Sequence, residues 1–205
     1  TLLRLISEGR TKGLSERRKS MDNGASSYRR YLDGDDTGLT DIIRIYKDGL
    51  TLYINGYTDN IFTAEELMEE TFFKLATKKP HFSGRSTFKT WIYTIARNVT
   101  LDYMRKNSRV VDSPIENFES YLAEESDVEK AYLIKEQKIL LHRVMRELKS
   151  EYFQVLYLVY FEDFTNAEIA KIMKKNKRQV ENLIYRAKTT LRSELEKEGF
   201  EYENL

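Results

Sequence analysis

Apolar residues recur at helical spacing in two separate blocks of this chain, and that periodicity limits its fold more than any other feature. Leu39, Ile42, Ile43 and Tyr46 begin an i, i+3, i+4, i+7 series that continues to Tyr57, which is the pattern of an amphipathic helix. The 205 residues include only 9 glycines and 2 prolines, so long helices are favoured over tight turns. The sequence therefore predicts an all-α fold.

The first block predicts three helices that close one small core. The series from Leu39 to Tyr57 forms the first of them. Thr63-Ala-Glu-Glu66 has the form of a capping box and would open the second helix. Pro80 then breaks the chain, and a third helix is expected from about Ser86 to Lys106. We place this unit at residues 39–107.

The second block predicts another helical unit, at residues 128–198. Tyr152 to Phe161 is apolar apart from Gln154, so this helix is expected to be buried on most sides. Thr165-Asn-Ala-Glu168 is a further capping box that opens a short helix. Asn176 can cap a last, longer helix.

The remaining segments lack helical periodicity. Residues 1–38 are polar and rich in glycine, and we expect a loose arm there. Residues 108–127 contain Pro114 and several acids, and we interpret them as a linker. The chain begins with Thr, and Met21 opens a stretch that reads like an ordinary translation start. We therefore hypothesise that residues 1–20 result from the assignment of the gene start.

Charge alternates in blocks along the chain, although the net charge is only +1. Glu65 to Glu70 hold four glutamates and no base. Nine Lys or Arg and one acid lie from Lys74 to Arg109, seven acids and no base from Asp112 to Glu129, and eight bases and one acid from Lys171 to Arg192. Two basic blocks separated by an acidic one indicate two nucleic-acid contacts joined by a segment that avoids duplex DNA. Solvated helix faces explain one such block more easily than four.

The short helix, polar turn and long basic helix near the end have the pattern of a helix-turn-helix. The last helix must bury one face and offer polar and cationic side chains to a major groove about 12 Å wide. Asn and Gln can pair with adenine, and Arg with guanine. A plain three-helix core is the alternative interpretation. The candidate DNA-binding residues are Lys175, Lys177, Arg178, Gln179, Asn182, Tyr185, Arg186 and Lys188.

The first unit places aromatic side chains beside cations. A basic helix that carries Tyr93 and Arg97 on its expected exposed face follows a loop that contains Phe82. This mixture suits single-stranded bases, because every base has a π-face and a charged backbone. Packing in the core is at least as plausible for Phe82, and we assign Trp91 to the core. The acidic stretch at 65–70 would repel DNA and suits a cationic protein partner.

These segments resemble a known family, the extracytoplasmic-function (ECF) sigma factors of bacterial RNA polymerase. Their second conserved region is similar to Ala64-Glu-Glu-Leu-Met-Glu-Glu-Thr-Phe-Phe-Lys-Leu75, to Phe82-Ser-Gly-Arg-Ser-Thr-Phe-Lys-Thr-Trp-Ile-Tyr-Thr-Ile-Ala-Arg-Asn98 and to Leu101-Asp-Tyr-Met-Arg-Lys106. Their fourth region is similar to Leu148-Lys-Ser-Glu-Tyr-Phe-Gln-Val-Leu156, and to Asn166-Ala-Glu-Ile-Ala-Lys-Ile-Met173 onward through Tyr185-Arg-Ala-Lys188. The resemblance covers about residues 39–195.

The resemblance implies two helical domains, joined by a flexible acidic linker, that direct core RNA polymerase to promoters. The helix-turn-helix candidates would read the −35 duplex. The melted −10 strand would contact Phe82, Ser83, Arg85, Lys89, Tyr93, Arg97 and Asn98. Core polymerase would bind Glu65, Glu66, Glu69, Glu70 and Phe73. An anti-sigma factor is a common further partner in the family, although no residue here identifies one.

The chain departs from the family at two places. The family turn usually has Gly and then an apolar residue, whereas Lys174 and Lys175 stand here. On the last helix, Glu181 and Leu183 occupy positions that are commonly cationic in the family. The −35 sequence therefore does not follow by analogy.

Two other classes of function are weighed against the sigma factor. A regulator that binds duplex DNA by itself would need a sensor or dimer face in the first unit. An enzyme is disfavoured, because His81 and His142 are the only histidines and neither a Gly-rich phosphate loop nor a metal-ligand cluster occurs. We therefore expect no catalytic residue, cofactor or metal. With no cysteine and no apolar run of about 20 residues, we expect a cytoplasmic protein without membrane insertion.

Overall fold

The computed structural model describes residues 24–107, 141 and 143–198, and their regular structure is helical throughout, as predicted. The 108–127 linker and residues 1–23 of the expected arm lie outside the described residues. Residues 143–147 are helical. The other helices are α1 (Ala25–Leu32), α2 (Thr37–Thr58), α3 (Ile61–Lys78), α4 (Phe88–Asn107), α5 (Ser150–Tyr160), α6 (Asn166–Met173) and α7 (Lys177–Lys197).

The first unit is built around α2, which packs against α1, α3 and α4. Its apolar stripe is buried as the periodicity predicts, with Ile42, Leu50 and Ile54 fully enclosed. Leu75 of α3 and Ile92 of α4 complete the same core. The predicted three-helix core is therefore present.

The start of α3 differs from the predicted capping box. Asn60 is the N-cap, and its Oδ1 accepts hydrogen bonds from the backbone N–H groups of Phe62 and Thr63, at 3.0 and 3.2 Å. Thr63 consequently lies inside the helix, and the prediction of a cap there was wrong. An Asn cap with no Glu or Gln three residues later is a weaker sequence signal than a Thr-x-x-Glu pattern, so the stronger signal was chosen.

Helix α1 lies in a segment that the sequence led us to expect as a loose arm. Tyr28 and Tyr31 are buried, and their hydroxyls donate to the carbonyls of Pro80 at 2.8 Å and Ala76 at 3.0 Å. Gly38 permits the close approach of α1 to α2, because a Cβ there would lie 2.2 Å from the Ser27 carbonyl oxygen. The two tyrosines anchor this short polar helix to the end of α3.

In the described part of the second unit, the helical residues 143–147 precede helices α5 to α7, and its predicted start at 128–140 lies outside the described residues. Both predicted caps are confirmed. Thr165 and Glu168 bond reciprocally at the start of α6, and Asn176 and Gln179 do so at the start of α7. Helix α5 is buried on most sides, as its apolar sequence predicts.

The two units pack against each other, a feature that the periodicity of each unit does not reveal. Helix α2 contacts α5, and α4 contacts α6. The rings of Tyr53 and Tyr157 have centroids 6.1 Å apart, and those of Tyr93 and Phe164 are 5.1 Å apart. Buried side chains of both units therefore form one continuous cluster. No helix among the described residues is long and apolar enough to cross a membrane.

Helix α6 ends at a lysine in the left-handed region of backbone conformation. Lys174 has φ 53° and ψ 46°, and the N–H of Lys175 closes the turn by donating to the Ala170 carbonyl at 2.9 Å. A side chain with a Cβ is strained in this conformation by roughly 1–2 kcal/mol. Glycine, which the family pattern has at the turn, adopts it without that strain.

We predict that Lys174→Gly raises the free energy of unfolding by about 1 kcal/mol, because it relieves the strain at the helix end. Chemical denaturation followed by circular dichroism would measure the change. Lys47→Gly, an exposed position within α2, is the matched control and should lower stability by about 1 kcal/mol. A loss of stability from both substitutions would contradict the proposed strain.

Candidate nucleic-acid interface

Helix α7 separates a buried face from a cationic one. Val180, Leu183, Ala187 and Leu191 face the unit's core. On the opposite side, seven of the eight candidate residues are exposed, and Tyr185 leaves 74 % of its surface open. These exposed side chains are Lys177, Arg178, Gln179, Asn182, Tyr185, Arg186 and Lys188. The helix therefore offers a long, open surface with the residue types that read base edges and phosphates.

Several of these side chains are already held by neighbours. The Gln179 Oε1 accepts from the Asn176 N–H at 2.8 Å, which leaves its amide nitrogen to donate. Lys188 places its Nζ 5.3 Å from the centre of the Tyr160 ring. Lys175 is half-buried and pairs with Glu151 at 3.0 Å. Among the −35 candidates, all of which are described residues, Lys175 is thus the one whose side chain is not exposed.

The loop before α4 and the exposed part of that helix form a second candidate surface. Ser83 and Arg85 are exposed, as a contact with DNA requires. Phe82 is half-buried and packs edge-on against Phe88, with ring centroids 5.4 Å apart, and against Trp91 at 5.1 Å. We considered base stacking and core packing for Phe82. The structure shows it packed against these rings, although part of its ring stays exposed.

Two candidates on α4 lie under the second unit. Tyr93 is only 1 % exposed and packs against Phe164, so the expectation that it is exposed was wrong. Lys89 is half-buried, and its Nζ lies 2.8 Å from a carboxylate oxygen of Glu162. The burial of both side chains has one physical cause, since the face of α4 that turns away from its own unit is covered by residues distant in sequence.

Arg97 lies beside a pair of buried tyrosines. The hydroxyls of Tyr53 and Tyr57 are 2.9 Å apart, and the positive charge of the neighbouring Arg97 acts to lower the pKa of each. Burial raises the pKa of Tyr57 well above its usual value, and the neighbouring Tyr53 raises it further. Burial likewise raises the pKa of Tyr53 to about 12. Arg97 and Asn98 are both half-buried, so Arg97 is partly occupied in holding the first unit together.

Helix α3 presents an acidic stripe flanked by two phenylalanines. Glu66, Glu69 and Glu70 are exposed, while Glu65 is half-buried. Phe73 leaves 60 % of its surface open, and Phe62, which we did not predict, leaves 65 % open. Residues 62, 66, 69 and 73 follow the spacing of one helix face. That spacing is the sequence signal that could have identified Phe62.

The described residues hold no group of three or more His, Asp or Glu side chains arranged to bind a metal ion. The α7 and α3 surfaces combine charge with exposed aromatic rings, Tyr185 on the first and Phe62 and Phe73 on the second, which suits binding to macromolecules.

The chain resembles solved and curated sigma factors over most of its length. The sigma factor RpoE of Bartonella quintana, solved in complex with the anti-sigma factor NepR, matches with a TM-score of 0.60 over 77 % of this chain and 96 % of that one, at 19 % identity. At that identity the match shows a shared fold.

Curated relatives are closer in sequence. The RNA polymerase sigma factor YlaC of Bacillus subtilis is 27 % identical over 160 residues, which cover 78 % of this chain and 92 % of YlaC. The ECF RNA polymerase sigma-E factor of Salmonella typhimurium is 31 % identical over 134 residues, which cover 62 % of this chain and 70 % of the relative.

Family models match both units in the expected order. Sigma-70 region 2 matches residues 42–110, and Sigma-70 region 4 matches residues 138–191. The first match contains the acidic stripe and the α4 surface, and the second contains the helix-turn-helix. This chain therefore belongs to the ECF sigma factors, which direct RNA polymerase to initiate transcription at specific promoters.

Proposed function

We propose that this sigma factor divides its work among three surfaces: α7 for the −35 duplex, the α4 face and preceding loop for the melted −10 strand, and α3 for core polymerase. The observation that carries the proposal is the segregation of charge. The exposed cations of α7 stand on one unit, and the exposed glutamates of α3 stand on the other. Anionic DNA and a cationic protein partner would thus meet different faces.

On α7 the side chains that would contact base edges are spaced about one helical turn apart. Arg178, Asn182 and Arg186 follow at intervals of four and are all exposed. Arg suits the O6 and N7 atoms of guanine, and Asn suits the N6 and N7 atoms of adenine. Lys177 and Lys188 are suited to phosphates, which position the helix without specifying sequence. Glu181 can accept from a cytosine amino group.

The −10 strand would be held as single-stranded DNA. Unstacking a base costs a few kcal/mol, and stacking on a protein aromatic returns about 1–3 kcal/mol. Ser83, Arg85 and Asn98 are open enough to contact a flipped base or its phosphate. Lys89 and Tyr93 belong to this surface by position, and they can contact DNA only when the second unit has left α4.

The α3 surface would bind core polymerase through an acidic centre between two aromatic rings. Glu66 and Glu69 lie between the exposed Phe62 and Phe73. Charge complementarity steers the encounter, while aromatic side chains, Phe included, are enriched in the apolar core of protein interfaces. Phe62 is therefore added to the predicted set Glu65, Glu66, Glu69, Glu70 and Phe73.

The proposal also covers the setting of the protein. It performs no bond chemistry of its own and acts in the cytoplasm, where polymerase and promoter DNA are found. The solved relative RpoE forms a complex with an anti-sigma factor, and a comparable inhibitory protein is a candidate partner here. The absence of cysteine from the chain is in keeping with a reducing compartment.

Run-off transcription tests the proposed function against the alternative of an autonomous regulator. Purified protein, core polymerase and a panel of promoters from its own genome should give specific transcripts that neither protein gives alone. The free protein should bind duplex promoter DNA weakly. The regulator is favoured if no promoter yields a transcript and the free protein binds duplex DNA tightly.

We predict that Arg178→Glu and Arg186→Glu each weaken holoenzyme binding to the −35 duplex by at least about tenfold, because a lost guanine contact is worth about 1–3 kcal/mol. Footprinting of the assembled holoenzyme would measure this. Arg192→Glu makes the same change in charge further along α7 and should have a much smaller effect. Equal losses in all three variants would indicate a general electrostatic effect and contradict the assignment.

We predict that Glu69→Lys lowers the affinity for core polymerase by about tenfold while the fold stays intact, since Glu69 is exposed and neither a hydrogen bond nor an ion pair joins its side chain to another described residue. Fluorescence anisotropy of labelled sigma factor titrated with core polymerase measures the affinity. Asp48→Lys, an exposed acid on α2, is the control and should leave it nearly unchanged. A Glu69→Lys variant that binds polymerase normally would exclude α3 as the docking surface.

A further inference from the structure

The surface between the two units joins helices that carry proposed DNA contacts. Tyr93 of α4 packs edge-on against Phe164, which precedes α6. Tyr53 of α2 packs against Tyr157 of α5. We refer to this contact of α2 and α4 with α5, α6 and the residues between them as the dock. It covers the outward face of α4 while the candidate face of α7 remains exposed.

Polar contacts across the dock are numerous and directional. Lys89 forms an ion pair with Glu162 at 2.8 Å and also donates to the Glu162 carbonyl at 2.7 Å. The hydroxyls of Thr87 and Thr90 donate to Glu168 Oε1 at 3.3 and 3.2 Å. Burial acts to raise the pKa of Glu168, but hydrogen bonds, first those from Thr165 and then those from Thr90 and Thr87, hold it below its usual value. The carboxylate is therefore stabilised in its charged form.

Further contacts pin the edges of the dock. The Tyr157 hydroxyl donates to the carbonyl of Gly49 at 3.2 Å, and Lys171 donates to the carbonyl of Arg85 at 3.0 Å. Arg146 Nε donates to Asp59 Oδ1 at 2.8 Å. These contacts run along the second half of α2, from Gly49 to its C-cap Asp59, and into the loop before α4, so the second unit has a defined orientation on the first.

Two glycines inside α2 make this close approach possible. A Cβ on Gly56 would lie 1.9 Å from a ring carbon of Phe153. A Cβ on Gly49 would lie 2.6 Å from the Tyr93 hydroxyl and 2.8 Å from a Glu162 carboxylate oxygen. Positions seven apart share a helix face, and each glycine costs a helix about 1 kcal/mol relative to alanine. Helix α2 therefore carries residues that weaken it as a helix and fit it to the dock.

The composition of the dock suits a contact that can open. A permanent core seldom buries polar groups without partners. On the two helices that meet there, the side-chain oxygens of Asn55 on α2 and Gln154 on α5 are buried and accept no hydrogen bond from any described residue. Charged and hydroxyl groups such as Lys89, Glu162 and Thr90 would be well hydrated once apart.

From these observations we infer that the free protein is closed by the dock, and that the dock must open before α4 can hold the −10 strand. The second part rests on the proposed role of α4 in promoter binding. The carboxylates of Glu162 and Glu168 already bind the Lys89 ammonium group and the hydroxyls of Thr87 and Thr90. These groups could otherwise contact the phosphates of the DNA. Polymerase would then do more than position two independent heads, since binding both of them must separate the dock.

Labelling of an introduced thiol would measure opening directly. The chain has no native cysteine, and Thr90 is 1 % exposed within the dock. In a Thr90→Cys protein, the rate of reaction with a neutral thiol reagent reports the open population. Adding Gly56→Ala should raise that rate at least tenfold, equivalent to about 1.4 kcal/mol. An unchanged rate would overturn the inference.

Two matched variants separate opening from unfolding. Thr100→Cys places the thiol on the same helix, fully buried in the first unit, so its labelling should not rise with Gly56→Ala. Equal acceleration at both sites would mean that the first unit unfolds, which would also overturn the inference. Gly49→Ala gives the same gain in helix propensity but meets only the ends of two side chains. It should open the dock less than Gly56→Ala does.

A charge exchange supplies independent evidence. Glu162→Lys should accelerate labelling at Thr90→Cys, since it faces Lys89 with a like charge. Adding Lys89→Glu restores an opposite pair and should slow labelling again. If the double exchange labels as fast as Glu162→Lys alone, the ion pair does not hold the dock closed.

DNA binding tests the second part separately. The probe is a single-stranded oligonucleotide with the −10 sequence of a promoter mapped by run-off transcription. Gly56→Ala should raise the affinity of the free protein for it about as much as it raises labelling. If labelling rises and affinity does not, the dock does not cover the −10 surface.

Asn98→Ala distinguishes that failure from a failure of the proposed function. It should weaken −10 binding by the holoenzyme and by the opened Gly56→Ala protein alike. If it weakens the holoenzyme alone, α4 binds the −10 strand but the dock does not regulate it. If it weakens neither, the −10 assignment fails, and the labelling rates still decide whether the dock opens.

Discussion

Helices α2 and α4 each bury two faces, and the rest of the structure depends on the second of them. The first face closes the core of their own unit, where Ile54 and Ile92 have no solvent exposure. The second is covered by the other unit through aromatic rings mixed with Lys89, Thr90 and the backbone of α2. If this second face were entirely apolar, uncovering it would expose a contiguous hydrophobic patch of a kind that soluble monomers rarely present. A face of mixed composition can be covered at one time and bind another partner at a different time.

Local signals in the sequence predicted what local forces determine. The capping pairs Thr165 with Glu168 and Asn176 with Gln179 formed as expected, because their partners lie three residues apart. The buried and exposed faces of α7 also followed from its periodicity. Helix α1 did not, since Tyr28 and Tyr31 belong to a polar stretch and are buried only because α3 ends nearby.

The candidate surfaces were likewise predictable only where local sequence determines which side chains are exposed. On α7 the outward positions have no other element to cover them, so sequence position and exposure agree. On α4 they disagree, because periodicity shows that Tyr93 lies on a face but not which neighbour meets that face. Gly49 shows the same limit. From sequence it only weakens a helix, whereas in three dimensions it leaves room for Tyr93 and Glu162, and the second of these comes from a distant part of the chain.

The two surfaces that we propose to bind DNA are consequently unequal in this structure. The α7 face is open, and on α4 the carboxylates of Glu162 and Glu168 bond to Lys89 and to the threonine hydroxyls. Each of these bonds has the chemistry of a phosphate contact, a cation or hydroxyl with an anionic oxygen. DNA approaching α4 must therefore replace carboxylates that are already in place, while DNA approaching α7 replaces only water and counterions. On the proposal made above, binding of polymerase to both units would change that balance, because it would separate the carboxylates from α4 without competing for the same groups.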